Sequence, residues 1–305
     1  MKQVTHFFIL FISMLSFSQS KTYDVINLKI NNEKPHFALS QYENDKVIFT
    51  SYLLTKSGKI KLSAGEPILT IFEAKKNANG ELTNFRKLLI DVKEDIKFIS
   101  SAVFSPNGKH LYVTTNYNSR KNKPKGDYRN TNFHIERAEY TEGIGWTNFK
   151  VLPFCKPKYS YAQPFVSLDG STLFFVANIR GGKNSTRGGS DLFKVEILEN
   201  NTYSEPVNLG VQINSYSREM FPFLSASNIL YFASNRPNGV GGFDIYKSKM
   251  LDDGTFEKAK ILPKPINSRK DDISFVIDAF GNGYFTSKRS GGKGDDDVYY
   301  FISKN

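Results

Sequence analysis

The segment from Ser215 to Tyr246 decides the fold. It is built from Ser-Tyr-Ser-Arg-Glu-Met-Phe-Pro-Phe-Leu-Ser (215–225), Ile-Leu-Tyr-Phe-Ala (229–233), Ser-Asn-Arg (234–236), Gly239, Gly-Gly (241–242) and Asp-Ile-Tyr (244–246). The same order of motifs returns between Asp272 and Tyr299, and an earlier copy lies between Gln163 and Phe193. Self-similarity at a fixed period of this size, about fifty residues, indicates one supersecondary unit stacked on itself.

Each unit contains four short apolar segments that are separated by turn residues such as Asn107-Gly108, Asp169-Gly170 and Asp253-Gly254. Four short strands joined by hairpin turns are typical of a β-propeller blade. Five such units can be traced, so we predict an all-β fold, a five-bladed β-propeller with four-stranded antiparallel blades. The predicted blades cover roughly residues 35–90, 99–153, 161–210, 218–263 and 270–302.

The fifth unit ends one strand short, at Phe301-Ile302. At the other end of the chain, Val25-Ile26-Asn27-Leu28 resembles Pro206-Val207-Asn208-Leu209, the fourth strand of the third unit. We therefore predict that the N-terminal strand, residues 23–28, completes the last blade and closes the ring. Closure removes an exposed sheet edge, and it makes residues 21–305 a single domain.

The first twenty residues have the features of a secretory signal peptide. A lysine at position 2 precedes the short apolar run from Phe7 to Leu15, and small residues follow from Ser16 to Ser20. The run is too short to cross a bilayer. We therefore expect residues 1–20 to be a signal peptide and the chain to be exported, in the periplasm or associated with the outer membrane, with no transmembrane segment. Cys155 is the only cysteine, so the chain forms no intrachain disulfide.

The Ile-Asn-Ser linkers, the Ser-Asn-Arg motif, the glycine pairs and Asp-Ile-Tyr resemble the WD40-like propeller repeats of TolB type. The run from Ser287 to Tyr299 is especially similar to the propeller region of OmpA-family envelope proteins of Bacteroidota. The resemblance covers the third to fifth blades well and the first two loosely. It implies a binding propeller in the cell envelope with a link to outer-membrane or secretion machinery.

Residues that recur in the repeat have a structural explanation. The aspartates at strand starts are expected to bind loop backbone, and the glycines to permit positive φ in tight loops. We assign this structural role to Asp191, Asn235, Gly241, Gly242, Asp244, Tyr246, Gly291, Gly292, Asp297 and Tyr299.

A second set of charged residues is expected on the face that carries the glycine-rich loops and the linkers between blades. The net charge of the chain is +11, and a basic face attracts anionic partners. Two explanations remain open for the repeated arginines and acids: ion pairs that maintain the repeat, or contacts with a ligand. The candidate binding residues are Arg120, Lys121, Lys123, Lys125, Arg129, Arg180, Glu219, Arg236, Asp272 and Arg289.

Sequence motifs for catalysis are absent: the chain has no serine nucleophile elbow, no HExxH motif and no histidine pair. Asp295-Asp296-Asp297 lacks the spacing of a calcium loop. We therefore predict no enzyme activity, no metal and no cofactor. The predicted function is a protein-binding scaffold for an envelope protein, with no nucleic-acid partner. Lipopolysaccharide or another anionic glycan is the second choice of ligand, and the alternative function is a carbohydrate-binding protein or a glycoside hydrolase that uses two carboxylates such as Glu219 and Asp272.

Overall fold

A computed structural model of the protein describes residues 22–43, 45–117 and 131–304. Five four-stranded antiparallel sheets form the blades of a β-propeller, which confirms the predicted fold class. The proposed signal peptide at residues 1–20 lies outside the described residues. Within the described ranges, no helix is long and apolar enough to span a bilayer.

The strands follow one another along the chain with two short 3₁₀ turns at Val92–Glu94 and Glu199–Asn201. In chain order they are β1 (Thr22–Asn27), β2 (His36–Gln41), β3 (Lys46–Tyr52), β4 (Leu62–Ser63), β5 (Glu66–Pro67), β6 (Leu69–Lys76), β7 (Leu82–Lys87), β8 (Ile99–Phe104), β9 (His110–Thr115), β10 (His134–Thr141), β11 (Gly145–Val151), β12 (Tyr161–Val166), β13 (Thr172–Ala177), β14 (Asp191–Glu196), β15 (Val207–Asn208), β16 (Glu219–Leu224), β17 (Ile229–Ser234), β18 (Asp244–Lys249), β19 (Lys260–Ile261), β20 (Asp272–Ile277), β21 (Gly283–Ser287) and β22 (Asp297–Lys304).

The blades use these strands in order from the channel outward. The first is β2-β3-β6-β7, the second β8-β9-β10-β11, the third β12-β13-β14-β15 and the fourth β16-β17-β18-β19. The small hairpin β4-β5 is an insertion in the first blade that the repeat pattern did not predict. The fifth blade is β20-β21-β22-β1, because β1 pairs antiparallel with β22 from Thr22↔Lys304 to Asn27↔Tyr299. The predicted closure of the ring by the N-terminal strand is confirmed.

The outer strands of the third and fourth blades, Val207–Asn208 and Lys260–Ile261, are only two residues long. Pro206 has no backbone N–H to donate, which limits pairing in the third blade. In the fourth blade, the N–H of Ala259 donates to the carbonyl of Gln212 in the linker instead of pairing with β18.

Aromatic side chains fill the spaces between neighbouring blades. Phe165 and Phe223 meet with ring centroids 5.1 Å apart, and Tyr231 meets Phe275 at 4.8 Å. Because each such pair joins two blades, every blade buries its faces against both neighbours. This packing stabilises a ring in a chain whose single cysteine is unpaired and buried.

The linkers between blades are held by three buried asparagines, Asn31, Asn214 and Asn267. The side chain of Asn267 accepts a hydrogen bond from Ile245 N at 2.7 Å and donates to Ile245 O at 3.0 Å. Asn214 makes the same pair of bonds to Leu192. Each asparagine thus acts as one further residue of the outer strand, and it fixes the linker to the third strand of the preceding blade.

Candidate binding face

One face of the propeller carries the linkers and the loops that follow the second strand of each blade; we call it the loop face. Its loops contact the linkers directly, since Gly189 N donates to Ser217 O at 2.6 Å and Gly242 N to Lys270 O at 3.3 Å. The first residue of an inner strand also bonds the preceding blade, as Asp272 N does to Phe243 O at 2.7 Å. In the third to fifth blades, the loops and linkers of this face are therefore joined by hydrogen bonds.

The paired glycines of the loops serve close packing, which corrects the expectation that they permit positive φ. Gly241 and Gly242 are not among the glycines with positive φ, whereas Gly291 is, at φ +87°. A Cβ on Gly241 would overlap the carbonyl oxygen of Lys270, and a Cβ on Gly242 would overlap the carboxylate of Asp271. These glycines let a loop lie against the next linker.

The aspartates at the start of the third strands hold the loops. Asp244 accepts hydrogen bonds from Val240 N at 2.8 Å and Gly241 N at 3.2 Å. Asp191 accepts from Arg187 N at 2.9 Å, and Asp297 accepts from the backbone of its own loop and from the side chain of Asn27. Burial raises the pKa of Asp244 against the effect of these bonds.

The repeated arginines and acids form ion pairs within single blades. Arg236 Nη2 lies 3.2 Å from Glu219 Oε1, and Arg289 Nη2 lies 2.8 Å from Asp272 Oδ1. Both carboxylates are completely buried. The Arg236 guanidinium lies over the ring of Tyr246 at 4.5 Å, as Arg289 lies over Tyr299 at 4.9 Å.

Arg180 follows a different pattern from Arg236 and Arg289. It donates to the carbonyls of Thr186 at 3.0 Å and Gly188 at 2.8 Å, and so holds the loop of its own blade. Asn235 accepts a bond from Arg218 N at 2.9 Å. The five predicted binding residues Arg180, Glu219, Arg236, Asp272 and Arg289 therefore contact one another or the backbone.

The other predicted binding residues lie outside the described residues. They are Arg120, Lys121, Lys123, Lys125 and Arg129.

Exposed groups on the loop face come instead from the loops and linkers of the third to fifth blades. Tyr216 is 82% exposed, and the guanidinium of Arg187 lies 4.6 Å from its ring centroid. Arg218, Arg269 and Lys270 are also exposed. Tyr216 and Arg218 lie in the linker between the third and fourth blades. Arg269 and Asp271 occupy the equivalent positions in the next linker. That variability inside an otherwise repeated linker is the sequence signal that could have identified them.

A pocket opens on this face at the seam between the fourth and fifth blades. It has a volume of about 380 Å³ and is lined by Gly242, Arg269, Lys270, Asp271, Lys288, Gly294 and Asp295. Asp271 Oδ1 accepts a bond from Phe243 N at 3.0 Å, and Asp295 pairs with Lys288 at 3.2 Å. We call it the seam pocket.

The central channel is narrow at its constriction. Its cavity of about 40 Å³ is lined by residues of all five inner strands, and no carboxylate is among those lining residues. A cavity of this size holds one or two waters but no sugar ring. All five inner strands have a bulge in their pairing with the second strand, and in four of them a residue of the bulge, Ala38, Gln163, Phe221 or Ser274, has φ between +52° and +54°.

A glycosidase in this fold would need two unpaired carboxylates near the channel. Glu219 and Asp272 each face an arginine, so neither is free to protonate or attack a glycosidic bond.

Elsewhere in the described chain, His134 and Glu136 form a buried pair at 2.8 Å. No group of three or more His, Cys, Asp or Glu residues that could hold a metal ion occurs in residues 22–43, 45–117 and 131–304. Burial raises the pKa of the Cys155 thiol to about 12.

Among known proteins, this chain matches solved structures, and they share its propeller fold. No family model matches the chain, and no curated protein matches it. Among solved structures, a levansucrase from B. megaterium has a TM-score of 0.51 at 10% identity, over 92% of this chain and 83% of that one. A beta-1,2-mannobiose phosphorylase from Listeria innocua has a TM-score of 0.50 at 8% identity, over 93% and 90%.

A puromycin-hydrolyzing peptidase from Mycobacterium tuberculosis has a TM-score of 0.42 at 12% identity, and the chain covers 45% of its length while 87% of this chain is aligned. At these identities the likeness shows the propeller fold alone.

The prediction that the chain is not an enzyme is contradicted by these comparisons. Propellers of this fold include the levansucrase and the phosphorylase, which are enzymes. The prediction rested on missing sequence motifs, and two carboxylates on separate blades need not leave any local motif. Missing motifs therefore do not exclude catalysis in a propeller.

Proposed function

We propose that this protein is an exported propeller of the WD40-like, TolB-type repeat class that binds an acidic protein of the cell envelope through its loop face. The observation that carries the proposal is the exposed stack of Arg187 on Tyr216 beside Arg218. Tyrosine and arginine dominate the residues that contribute most to protein–protein binding, because they offer large contact area and several donors. The net charge of +11 favours an acidic partner.

The linker that carries Tyr216 is fixed by hydrogen bonds, and a segment held in place before binding lowers the entropic cost of binding. Tyr216 and Arg218 belong to a linker that Asn214 fixes to β14 and that Gly189 meets at 2.6 Å. We propose that the basic segment from Arg120 to Arg129, which lies outside the described residues, also contributes to binding the acidic partner. The envelope location rests on the features of residues 1–20 and on the likeness of the repeats to those of OmpA-family proteins.

The test is a pull-down from the envelope fraction of the native cells with the chain from Lys21 onward. The test variant combines Arg187→Ser, Tyr216→Ser and Arg218→Ser. The control variant combines Lys109→Ser, Lys249→Ser and Phe280→Ser, which also removes two exposed cations and one exposed aromatic ring, all from the end of the blades opposite the loop face.

A protein that the original chain and the control retain, and that the test variant loses, supports the proposal. Equal capture by all three would show that the loop face is only a solvated surface. Capture of a glycan without a protein, or shortening of that glycan, would assign the carbohydrate function instead. Thermal unfolding of each bait checks that it is folded.

A further inference from the structure

The seam pocket is large enough to hold a ligand, and two of its cations have no acid within ion-pair distance among the described residues. Its volume of about 380 Å³ accommodates a charged side chain with its neighbouring backbone. Gly242 and Gly294 also line the pocket, and each packs closely against a neighbouring segment of chain. Three segments of chain converge there, from the loops of the fourth and fifth blades and from the linker between them.

Of the two acids in the pocket, Asp295 is ion-paired, and Asp271 keeps its charge but accepts a backbone hydrogen bond. Asp271 accepts from the backbone of Phe243, and Asp295 pairs with Lys288 through both of its oxygens, at 3.2 and 3.3 Å. Arg269 and Lys270 are exposed, and among the residues that the structure describes no acid lies within ion-pair distance of either side chain. The lining therefore carries three cations and two acids, a net charge of +1, and Arg269 and Lys270 are its cations without an ion-pair partner in the described part of the chain.

The chemistry of the lining favours a peptide carboxylate over a sugar acid. A guanidinium binds a carboxylate through two parallel hydrogen bonds, and a neighbouring ammonium adds a point charge. No aromatic ring lines the pocket, so a sugar ring would find no flat apolar surface to cover its own apolar face. An aspartate or glutamate side chain has no such face to cover.

We infer that the seam pocket binds a carboxylate side chain of an acidic peptide segment, held by Arg269 and Lys270. This inference rests on the proposed protein-binding function and places one anchor of the partner at the seam between the fourth and fifth blades. The Arg187–Tyr216 stack lies at the preceding seam of the same face. An extended acidic segment would follow the linkers from one seam to the next.

The experiment measures binding of a fluorescein-labelled hexaglutamate peptide by fluorescence anisotropy. The pocket variant is Arg269→Ser with Lys270→Ser, and the matched control is Lys258→Ser with Lys260→Ser, which removes the same charge from the outer edge of the fourth blade. We expect the pocket variant to weaken binding at least about tenfold and the control less than about threefold. Arg269→Lys should fall between them, because it keeps the charge and loses the planar fork.

Two further probes separate the alternatives. Hexaglutamine should not bind, and oligogalacturonate of similar charge should bind more weakly than hexaglutamate. Equal losses in both double variants would overturn the inference, since net charge alone would then explain binding. Stronger binding of oligogalacturonate would overturn it in favour of a sugar acid. If the pull-down identifies a partner whose capture survives Arg269→Ser with Lys270→Ser, only the pocket assignment fails and the proposed function stands.

Discussion

Arg289 and Asp272 form a buried ion pair inside the fifth blade, with 2.8 Å between Nη2 and Oδ1. The carboxylate is completely buried and the arginine side chain is 15% exposed. The same guanidinium donates to Ile266 O at 2.6 Å in the linker before the blade. The pair thus joins the first strand, the end of the second strand and the linker, which explains why an arginine and an acid recur without contacting a ligand.

Loss of Arg289 should therefore destabilise the fold strongly. Arg289→Met leaves the Asp272 carboxylate buried without its counter-charge, and we expect a loss of about 3–5 kcal/mol in the free energy of unfolding. The measurement is urea denaturation. Lys304→Met is the control, because its pair with Asp24 is half-exposed on both sides and should contribute less than about 1 kcal/mol. Similar losses for the two variants would refute the structural role of the buried pair.

The glycine loops should not tolerate a side chain where they meet a linker. Gly188→Ala places a Cβ against the carbonyl of Ser217, and the loop must move away from the fourth blade. We expect a loss of more than about 2 kcal/mol. Gly181→Ala lies at φ +84° in open space and should cost only about 1 kcal/mol. Equal costs would show that backbone conformation, and not close packing, requires the glycines.

Removal of the N-terminal strand should open the ring. A chain that starts at Glu33 lacks β1. The outer edge of β22 is then unpaired, and the ring contact of Tyr23 with Phe301 is lost. We expect this chain to aggregate or to elute as oligomers in size-exclusion chromatography, because an unpaired edge strand recruits other chains. A chain that starts at Lys21 is the control. Monomeric, equally stable behaviour of the shorter chain would contradict the closure.

Asp296, through its carboxyl, should make the free energy of unfolding depend on pH. Its side chain is 16% exposed, its Oδ1 has no hydrogen-bond partner among the described residues, and burial raises its pKa to about 6 although Lys288 lies 4.0 Å away. A carboxyl whose pKa is raised by folding destabilises the fold above that pKa. The cost disappears as the pH falls below the ordinary carboxyl pKa of about 4.

Asp296→Asn should therefore raise the free energy of unfolding by on the order of 1–2 kcal/mol at neutral pH and by nothing near pH 3.5. Urea denaturation at the two pH values checks this. Asp252→Asn, at an exposed position, should change stability by less than about 0.5 kcal/mol at both. A gain that does not depend on pH would show that ionisation of Asp296 is not the cause.

The fold could be predicted because its determinants repeat. Asn214 and Asn267 occur at the same place in each linker, and their contacts to Leu192 and Ile245 are the same. The binding surface could not be predicted in this way, since a repeated residue mostly serves the repeat. Arg236 and Arg289 were candidates because they recur, and the structure shows both in internal pairs.

Exposed groups such as Tyr216 stand where the repeats differ from one another, and their exposure depends on how neighbouring blades pack. Tyr216 is followed one blade later by Arg269 at the equivalent position, so the repeat marks this linker position as variable but does not show that either residue is exposed. The seam pocket likewise needs three segments that are distant in sequence. Its cationic character follows from which acids are already paired, and only the folded arrangement decides that.

The most direct test of the account compares two exposed aromatic rings on opposite faces. Tyr216 is 82% exposed on the loop face, and Phe280 is 87% exposed in the turn between β20 and β21 at the other end of the strands. Each is replaced in turn by the photo-crosslinker benzoylphenylalanine, and the protein is irradiated in native cells. If the loop face binds the partner, position 216 gives a crosslinked adduct with an acidic envelope protein and position 280 gives none. The same adduct from both positions, or an adduct from position 280 alone, would contradict binding through the loop face.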